Sequence, residues 1–399
     1  MIPIKLLSLF SGIGAFERAL ENLEIPYDLL GFCDIDKWAG KAYPILHNCS
    51  EDLNLKDVTT IDTSKYKDVD LLTYGFPCQD ISLSGKMAGC KEGTRSGLVW
   101  TAHKIIKETK PKIAICENVK NLTSKKFAKE FKAILDNLEA MGYNNQWAIL
   151  DAADYGVPQH RERVFIVSIR KDIDKGSFKF PEKQPLKKRL RDVLEKDVDE
   201  KYYLSDLQIS RILQWKAQQK PFERVLGKGS VSPTLTARGA GEYHSGMILV
   251  NENMEETKSM QNELTNRIIT LGNYSPSNHD ASRVVSPDGI APTVKENHGT
   301  TTTAVMEDKD ILNTIRVGGR GSLDKNHSWD IVPSPIDNRP RKLTPNECFM
   351  LMGFTKEDCE KLAAAGISST QLYKLAGNSI VVDVLENIYK ELYYEKEKE

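Results

Sequence analysis

Net charge, long apolar runs and paired cysteines are all scarce in this chain. Its 399 residues carry 55 Lys and Arg against 56 Asp and Glu, a formal charge of −1. Whole-chain attraction to nucleic acid or to an anionic membrane is thereby excluded, and any such attraction must be local. No stretch approaches the roughly 18 to 20 uncharged apolar residues of a membrane span. The opening MIPIKLLSLF has the character of a strand rather than of a signal peptide. A cytoplasmic protein with no membrane partner is expected. Seven cysteines, an odd number with no C-x-x-C spacing, argue against a disulfide framework. No H-E-x-x-H occurs either, so no metal site is expected.

Two phosphate-binding signatures are missing as well. Position 17 is Glu, so Gly12 and Gly14 do not extend to G-x-G-x-x-G. Gly85–Lys86 is followed by Met87 and lacks the earlier glycine of a phosphate-cradling loop.

What is present is a rhythm. From the start to about Arg170, apolar runs alternate with helical patterns, with candidate strands at 5–10, 28–33, 70–74, 112–116, 146–150 and 164–169. Helical stretches lie between them, for example at 97–108 and 125–141. The alternation implies an α/β domain whose mostly parallel sheet is covered on both faces. A chain of this length suggests roughly two folding units. From 171 to about 340 the texture turns to Gly, Ser, Thr, Asn and Pro, as in a smaller, irregular β-rich domain. Two of its pieces, containing SPTLTARG and APTVKENHG, are loosely alike, through chance or through duplication of a hairpin. Residues 161–228 hold 18 Lys and Arg against 11 Asp and Glu, either a solvated face or the lining of a phosphate-binding cleft.

From 341 to 399 the pattern is helical again. Thr344, Pro345 and Glu347 form a helix-entry signal of the capping-box type. The stretch 368–394 reads as one terminal helix whose Ile380, Val384, Ile388 and Leu392 suit packing back on the first domain.

The chemistry-bearing residues gather at strand ends. The first strand feeds FSGIG, where Gly12 and Gly14 permit a tight turn close to a ligand. Asp34 and Asp36 follow the second strand; Asp34 suits a ribose hydroxyl, and Asp36 suits the cap of the next helix. With the phosphate signatures missing, an adenosine ligand without phosphates fits this rim. Cys78, in GFPCQ, stands after a proline at the edge of the strand ending at Tyr74. As a nucleophile it needs a cation or a proton acceptor nearby, because a free thiol is only slightly ionised at neutral pH. The other six cysteines read as small hydrophobes. Glu117, in ENVKN, is placed to donate a proton if burial raises its pKa, or else to sit at a helix N-terminus. Arg161 and Arg163, in QHRER, point the same way in an extended chain and suit a carbonyl, an anion or surface salt bridges.

In this order, LLSLFSGIGAFERAL, GFPCQ, ENVKN, QHRER, RKLTPNECFMLMGF and LYKLAGNSIVVDVL resemble the ordered motifs of the cytosine-5 DNA methyltransferases. The resemblance spans 1–170 and 341–394, and the stretch between corresponds to the family's variable target-recognition region. It implies a Rossmann-like S-adenosylmethionine-dependent methyltransferase fold acting on double-stranded DNA as a monomer. Cys78 would attack C6 of a flipped cytosine, Glu117 would hold the base edge and protonate N3, Arg163 would contact the base carbonyl, and Arg161 would support that site or a phosphate. Phe10, Gly12 and Gly14 would line S-adenosylmethionine, with Asp34 on its ribose, Asp57 and Leu98 near its adenine, and Asn378 and Ser379 over its methionine end. Two residues depart from the family pattern: Asp34 replaces the commoner Glu, and Asp80 stands where a small or aromatic residue is usual. Two alternatives remain, methylation of tRNA and a non-catalytic DNA-binding regulator of the same fold. The length of 171–340 favours DNA over the first, and the joint presence of Cys78, Glu117 and Arg163 weighs against the second.

Overall fold

The structure, a computed structural model, describes residues 2–77, 97–203, 270–273, 283–285, 304–305 and 341–394. The chain divides into two compact units, one of Met1–Glu195, Ala291–His298 and Thr344–Glu399, the other of Lys196–Ile290 and Gly299–Leu343.

The first unit is built on a six-stranded sheet. Its elements are β1 (Ile4–Leu9), α1 (Ala15–Asn22), β2 (Tyr27–Cys33), α2 (Lys37–His47), β3 (Leu71–Tyr74), α3 (Leu98–Thr109), β4 (Ile113–Val119), α4 (Ala128–Ala140), β5 (Tyr143–Asp151) and β6 (Glu162–Arg170). The strand order is β2-β1-β3-β4-β6-β5. β1, β2, β3 and β4 pair in parallel, whereas β6 runs antiparallel to both β4 and β5. Five of the six strands therefore share one direction, so the sheet is mostly parallel as the alternating pattern implies, with β6 the exception. Short connectors place β6 antiparallel: β5 and β6 are joined without a crossover helix long enough to return the chain.

The central strands are buried on both faces, which explains their near-continuous apolar runs: IKLLSL in β1 and LLTY in β3. Leu7, Leu9, Leu72 and Tyr74 pack with Ile106 of α3, Ile134 of α4 and Ile166 of β6 in one core. The direction of the chain changes between β1 and β3, since β2 lies on one side of β1 and β3 on the other. In open α/β sheets that switch point opens a crevice at the carboxyl ends of the strands.

After Thr344 the chain re-enters this unit as α5 (Pro345–Met350), α6 (Lys356–Ala364), α7 (Ser369–Asn378) and α8 (Val382–Tyr393). The expected capping box is present at α5: Thr344 Oγ1 accepts from Glu347 N at 3.2 Å, and Glu347 Oε2 accepts from Thr344 N at 2.7 Å. The single terminal helix read over 368–394 is instead two helices. Residues 379–381 are extended between them, so α7 ends at the segment Asn378–Ser379. Apolar periodicity continues across the break, which is why the sequence pattern does not reveal it. α8 packs along α1, and Val384, Leu385 and Ile388 are buried there.

In the second unit, β7 (Thr270–Asn273), β8 (Arg283–Val285), β9 (Ala304–Val305) and β10 (Arg341–Lys342) form a sheet of order β10-β9-β8-β7. The two loosely similar hairpin pieces fall mostly outside the described residues. Among the described residues no helix is long and apolar enough to cross a membrane.

Candidate active site

The turn FSGIG leaves β1 through three left-handed backbone positions, Phe10 at φ 53°, Gly12 at φ 57° and Gly14 at φ 75°. A phenylalanine seldom adopts this conformation, at a cost on the order of 1 kcal/mol or more. Surrounding bonds over-determine it. Ser11 N donates to the Cys33 carbonyl at 3.1 Å, and Cys33 N donates to Ser11 Oγ at 3.0 Å, so the turn is tied to the end of β2. A Cβ built at Gly12 meets none of the described residues within 4 Å.

Asp34 stands beside the turn. Its Oδ2 accepts from Gly12 N and its Oδ1 from Asp36 N, both at 2.8 Å. Each oxygen keeps a lone pair for a further donor. Burial raises the Asp34 pKa even though these amides favour its charged form. Asp36 is the cap of α2: its Oδ1 accepts from Trp38 N and Ala39 N, and its Oδ2 from Lys374 Nζ of α7 at 2.8 Å. Ile35 between them is 78% exposed, an apolar surface at the rim that the alternation of strands and helices did not single out. An exposed isoleucine between two aspartates is the signal that would have found it.

Residues 54–60 run alongside β2, with Leu55 N donating to the Phe32 carbonyl at 2.7 Å. Asp57 caps the short turn Val58–Thr60, and its Oδ1 accepts from Thr59 N and Thr59 Oγ1. Those bonds hold its carboxyl below the usual range. Leu98 is the first residue of α3 and packs against the core from a partly buried position.

At the ends of β3 and β4 the site changes character. Gly75 lies against Glu117: a Cβ there would stand 3.5 Å from Glu117 Oε2. Asn118 Nδ2 donates to the buried Phe76 carbonyl at 3.0 Å, fixing the chain that leads to Pro77. Asn118 was not singled out from the sequence, although an asparagine inside a buried strand is unusual enough to mark it. Cys78 follows Pro77 and lies outside the described residues, as does Asp80. Of the described cysteines, Cys33, Cys116, Cys348 and Cys359 are buried and Cys49 is half-buried. Burial pushes the Cys33 and Cys359 thiols up to about 12. These are packing residues rather than nucleophiles.

Glu117 sits within β4 rather than at a strand tip, because β4 continues to Val119 while pairing with β6. No α-helix begins at Glu117, so a role as a helix N-terminal acid is set aside. Val119 is opposite Arg163, and Glu117, two residues away on the same face, is its diagonal neighbour. The long arginine spans that diagonal and places Nε 3.0 Å from Glu117 Oε1. Burial raises the Glu117 pKa, against the opposing charges of Arg163 and Arg161. The outcome is a carboxyl 12% exposed that holds a proton more readily than an ordinary glutamate.

Arg161 precedes β6 and is buried. Its Nη2 donates to the Gly377 carbonyl at 3.0 Å and to the Ser379 carbonyl at 2.6 Å. Arg161 thus anchors the end of α7, a task distinct from that of Arg163 two residues on. Asn378, between those carbonyls, is exposed, and Ser379 is buried with its Oγ donating to the Ile380 carbonyl at 3.2 Å. The QHRER loop is held by Asp151, whose Oδ1 accepts from Arg161 N at 2.8 Å and whose Oδ2 lies 2.6 Å from His160 Nδ1. Among the described residues no cluster of three or more His, Cys, Asp or Glu is arranged to hold a metal ion.

Residues 4–394 match the family described as C-5 cytosine-specific DNA methylase. The chain belongs to that family. It is 33% identical to the orphan methyltransferase M.SPRI of Bacillus phage SPR over the full length of both chains. It is 32% identical to the type II methyltransferase M2.ScrFI of Lactococcus lactis subsp. cremoris, covering 94% of this chain and 81% of that one. Among solved structures, the Entamoeba histolytica methyltransferase EhMeth shares the fold at a TM-score of 0.63 and 17% identity, covering 98% of both chains. The chain is therefore a DNA cytosine-5 methyltransferase with a Rossmann-like fold, and its methyl donor is S-adenosylmethionine.

Proposed function

We propose that this methyltransferase works through a transient covalent bond between Cys78 Sγ and C6 of a cytosine extruded from duplex DNA. The pairing of Glu117 with Arg163 carries the reading. A carboxyl whose pKa is raised by burial, held 3.0 Å from a guanidinium beside the chain leading to Cys78, suits one edge of a pyrimidine. Glu117 donates to N3, and Arg163 donates to the base carbonyl. Electron density drawn toward N3 leaves C6 open to the thiolate. As the S–C6 bond forms, the electron pair of the C5–C6 double bond becomes available at C5. The donor supplies an electrophilic methyl on a sulfonium. The C5 proton then leaves, the double bond re-forms and the thiolate is expelled.

The donor's adenosine fits the residues at the β1–β2 rim. A Cβ at Gly12 would meet none of the described residues within 4 Å, Asp34 keeps acceptor capacity for a ribose hydroxyl, and Ile35 offers an apolar surface. Phe10, Gly14, Asp57 and Leu98 complete that side, with Asn378 and Ser379 over the methionine end. Extruding the base costs a few kcal/mol. Phosphate contacts from the Lys- and Arg-rich segment 161–228 offset part of that cost, and the region 171–340 recognises the target sequence. The enzyme acts as a cytoplasmic monomer.

Incubation with labelled S-adenosylmethionine and duplex DNA tests the reading. Cys78→Ser is expected to abolish transfer while leaving cofactor binding intact. Turnover near the parent rate would overturn covalent catalysis, and transfer to tRNA instead of DNA would overturn the substrate.

A further inference from the structure

The cofactor turn is gripped from behind by a residue outside the motifs that carry the family resemblance. His47 closes α2, and its side chain is fully buried. Its Nε2 lies 3.0 Å from the Ile13 carbonyl and its Nδ1 lies 2.7 Å from Glu21 Oε1. The carbonyl only accepts, so Nε2 carries a hydrogen. The Glu21 carboxyl is partly buried, which acts to raise its pKa. The bonds from His47 and Tyr27 and the charge of Arg18 outweigh that, and it stays below the ordinary range. Glu21 is fixed in turn by Tyr27 Oη at 2.8 Å and by Arg18 Nη1 at 3.2 Å.

The ring also fills the space that a side chain at position 14 would need. A Cβ at Gly14 would lie 2.1 Å from His47 Nε2 and 2.7 Å from its Cδ2. The turn is thus held at two points: Asp34 takes the Gly12 amide on one side, and His47 takes the Ile13 carbonyl on the other. Together the two bonds fix the Ser11–Gly12 and Ile13–Gly14 peptide planes. Glu17, one turn along α1, is fully buried, and the Ser8 and Tyr43 hydroxyls act to favour its charged form. Burial raises the Glu17 pKa, and the neighbouring His47 is the leading influence that opposes it. Tyr43 carries the ring from its other side, with centroids 4.6 Å apart, and itself stacks on Phe32 of β2 at 3.9 Å.

We propose that His47 is a positioning residue for the methyl donor: it holds the Ile13 carbonyl so that the Gly12–Gly14 turn is preformed to receive the cofactor. The proposal rests on the reading that this turn lines the cofactor. A positioning role acts on donor binding rather than on the methyl-transfer step, so its signature is a split between the two kinetic constants.

The test is calorimetric titration of the full chain with S-adenosylhomocysteine, together with steady-state methylation. His47→Leu is expected to weaken binding and raise the KM for S-adenosylmethionine about 10- to 100-fold, with kcat at saturating donor within about threefold of the parent. His47→Gln keeps a donor for the Ile13 carbonyl and is expected to recover most of the loss. A His47→Leu protein that melts cooperatively yet binds within twofold of the parent overturns the proposal. If that variant does not fold, the Gly14→Ala and Gly14→Ala/His47→Ala pair decides. The double variant is expected to bind no more weakly than Gly14→Ala alone, and fully additive losses overturn the proposal. Gly14→Ala with parent-like affinity would instead overturn the reading of the turn as the cofactor site.

Discussion

The rim around Gly12 and the rim around Glu117 are neighbours on one sheet and are built in opposite ways. At Gly12 the geometry is set by backbone: left-handed φ angles, amides on Asp34, and carbonyl and hydroxyl bonds joining the ends of β1 and β2. Side chains there act mainly as clamps. At Glu117 the geometry is set by two charged side chains brought together by antiparallel register between β4 and β6. A ligand that needs a shaped seat can be served by the first construction. A reaction that needs a proton delivered at one atom requires the second. The departure at Asp34, shorter than the usual glutamate, is tolerable for that reason: its two backbone bonds are made at 2.8 Å regardless.

The sharpest way to break the comparison is to neutralise the chemical rim. Glu117→Gln retains shape but removes the carboxyl proposed to donate a proton to N3, and turnover is expected to fall roughly 10²- to 10⁴-fold, with S-adenosylhomocysteine affinity unchanged. Equal losses in both would mean that the two rims are one unit. On the other side, Asp34→Asn keeps one acceptor for the two amides and is expected to weaken cofactor binding about 10-fold, with kcat at saturating donor preserved. A fall in kcat measured under saturation would contradict the division of labour.

The smallest effect concerns stability. Glu117 has a folded pKa raised above its unfolded value, so folding is favoured where the group is protonated and loses that advantage as pH rises through the folded pKa. Glu117→Gln removes the titration. Its melting temperature is expected to exceed the parent's at pH 8, and the difference is expected to shrink as pH falls toward 5. A parent that is the more stable at pH 8 would mean that the Arg163 pair outweighs burial.

Much of this was legible in the residues. The apolar runs of β1, β2 and β3 are short and bounded, and the capping box at Thr344 follows local rules, so both appear where the sequence places them. Asp36 as a helix cap was equally local. The antiparallel β6 was not legible, because strand direction depends on pairing partners far apart in the chain. Nor was the break between α7 and α8, where apolar spacing runs on through Ile380 and Val384. Arg161 and Arg163 look equivalent in QHRER. Only the fold shows that one is spent on the Gly377 and Ser379 carbonyls and the other on Glu117. His47 carries no motif at all, and its tie to Ile13 depends on how α2 packs beneath the turn.

Covalent attack is tested most directly with duplex DNA carrying 5-fluorocytosine at the methylated position. Incubated with the enzyme and S-adenosylmethionine, then run on a denaturing gel, it is expected to give a protein–DNA adduct that survives denaturation, because fluorine cannot leave C5 as a proton does. Cys78→Ser is expected to give none. The absence of an adduct with the parent enzyme, or its persistence in the serine variant, would contradict the account.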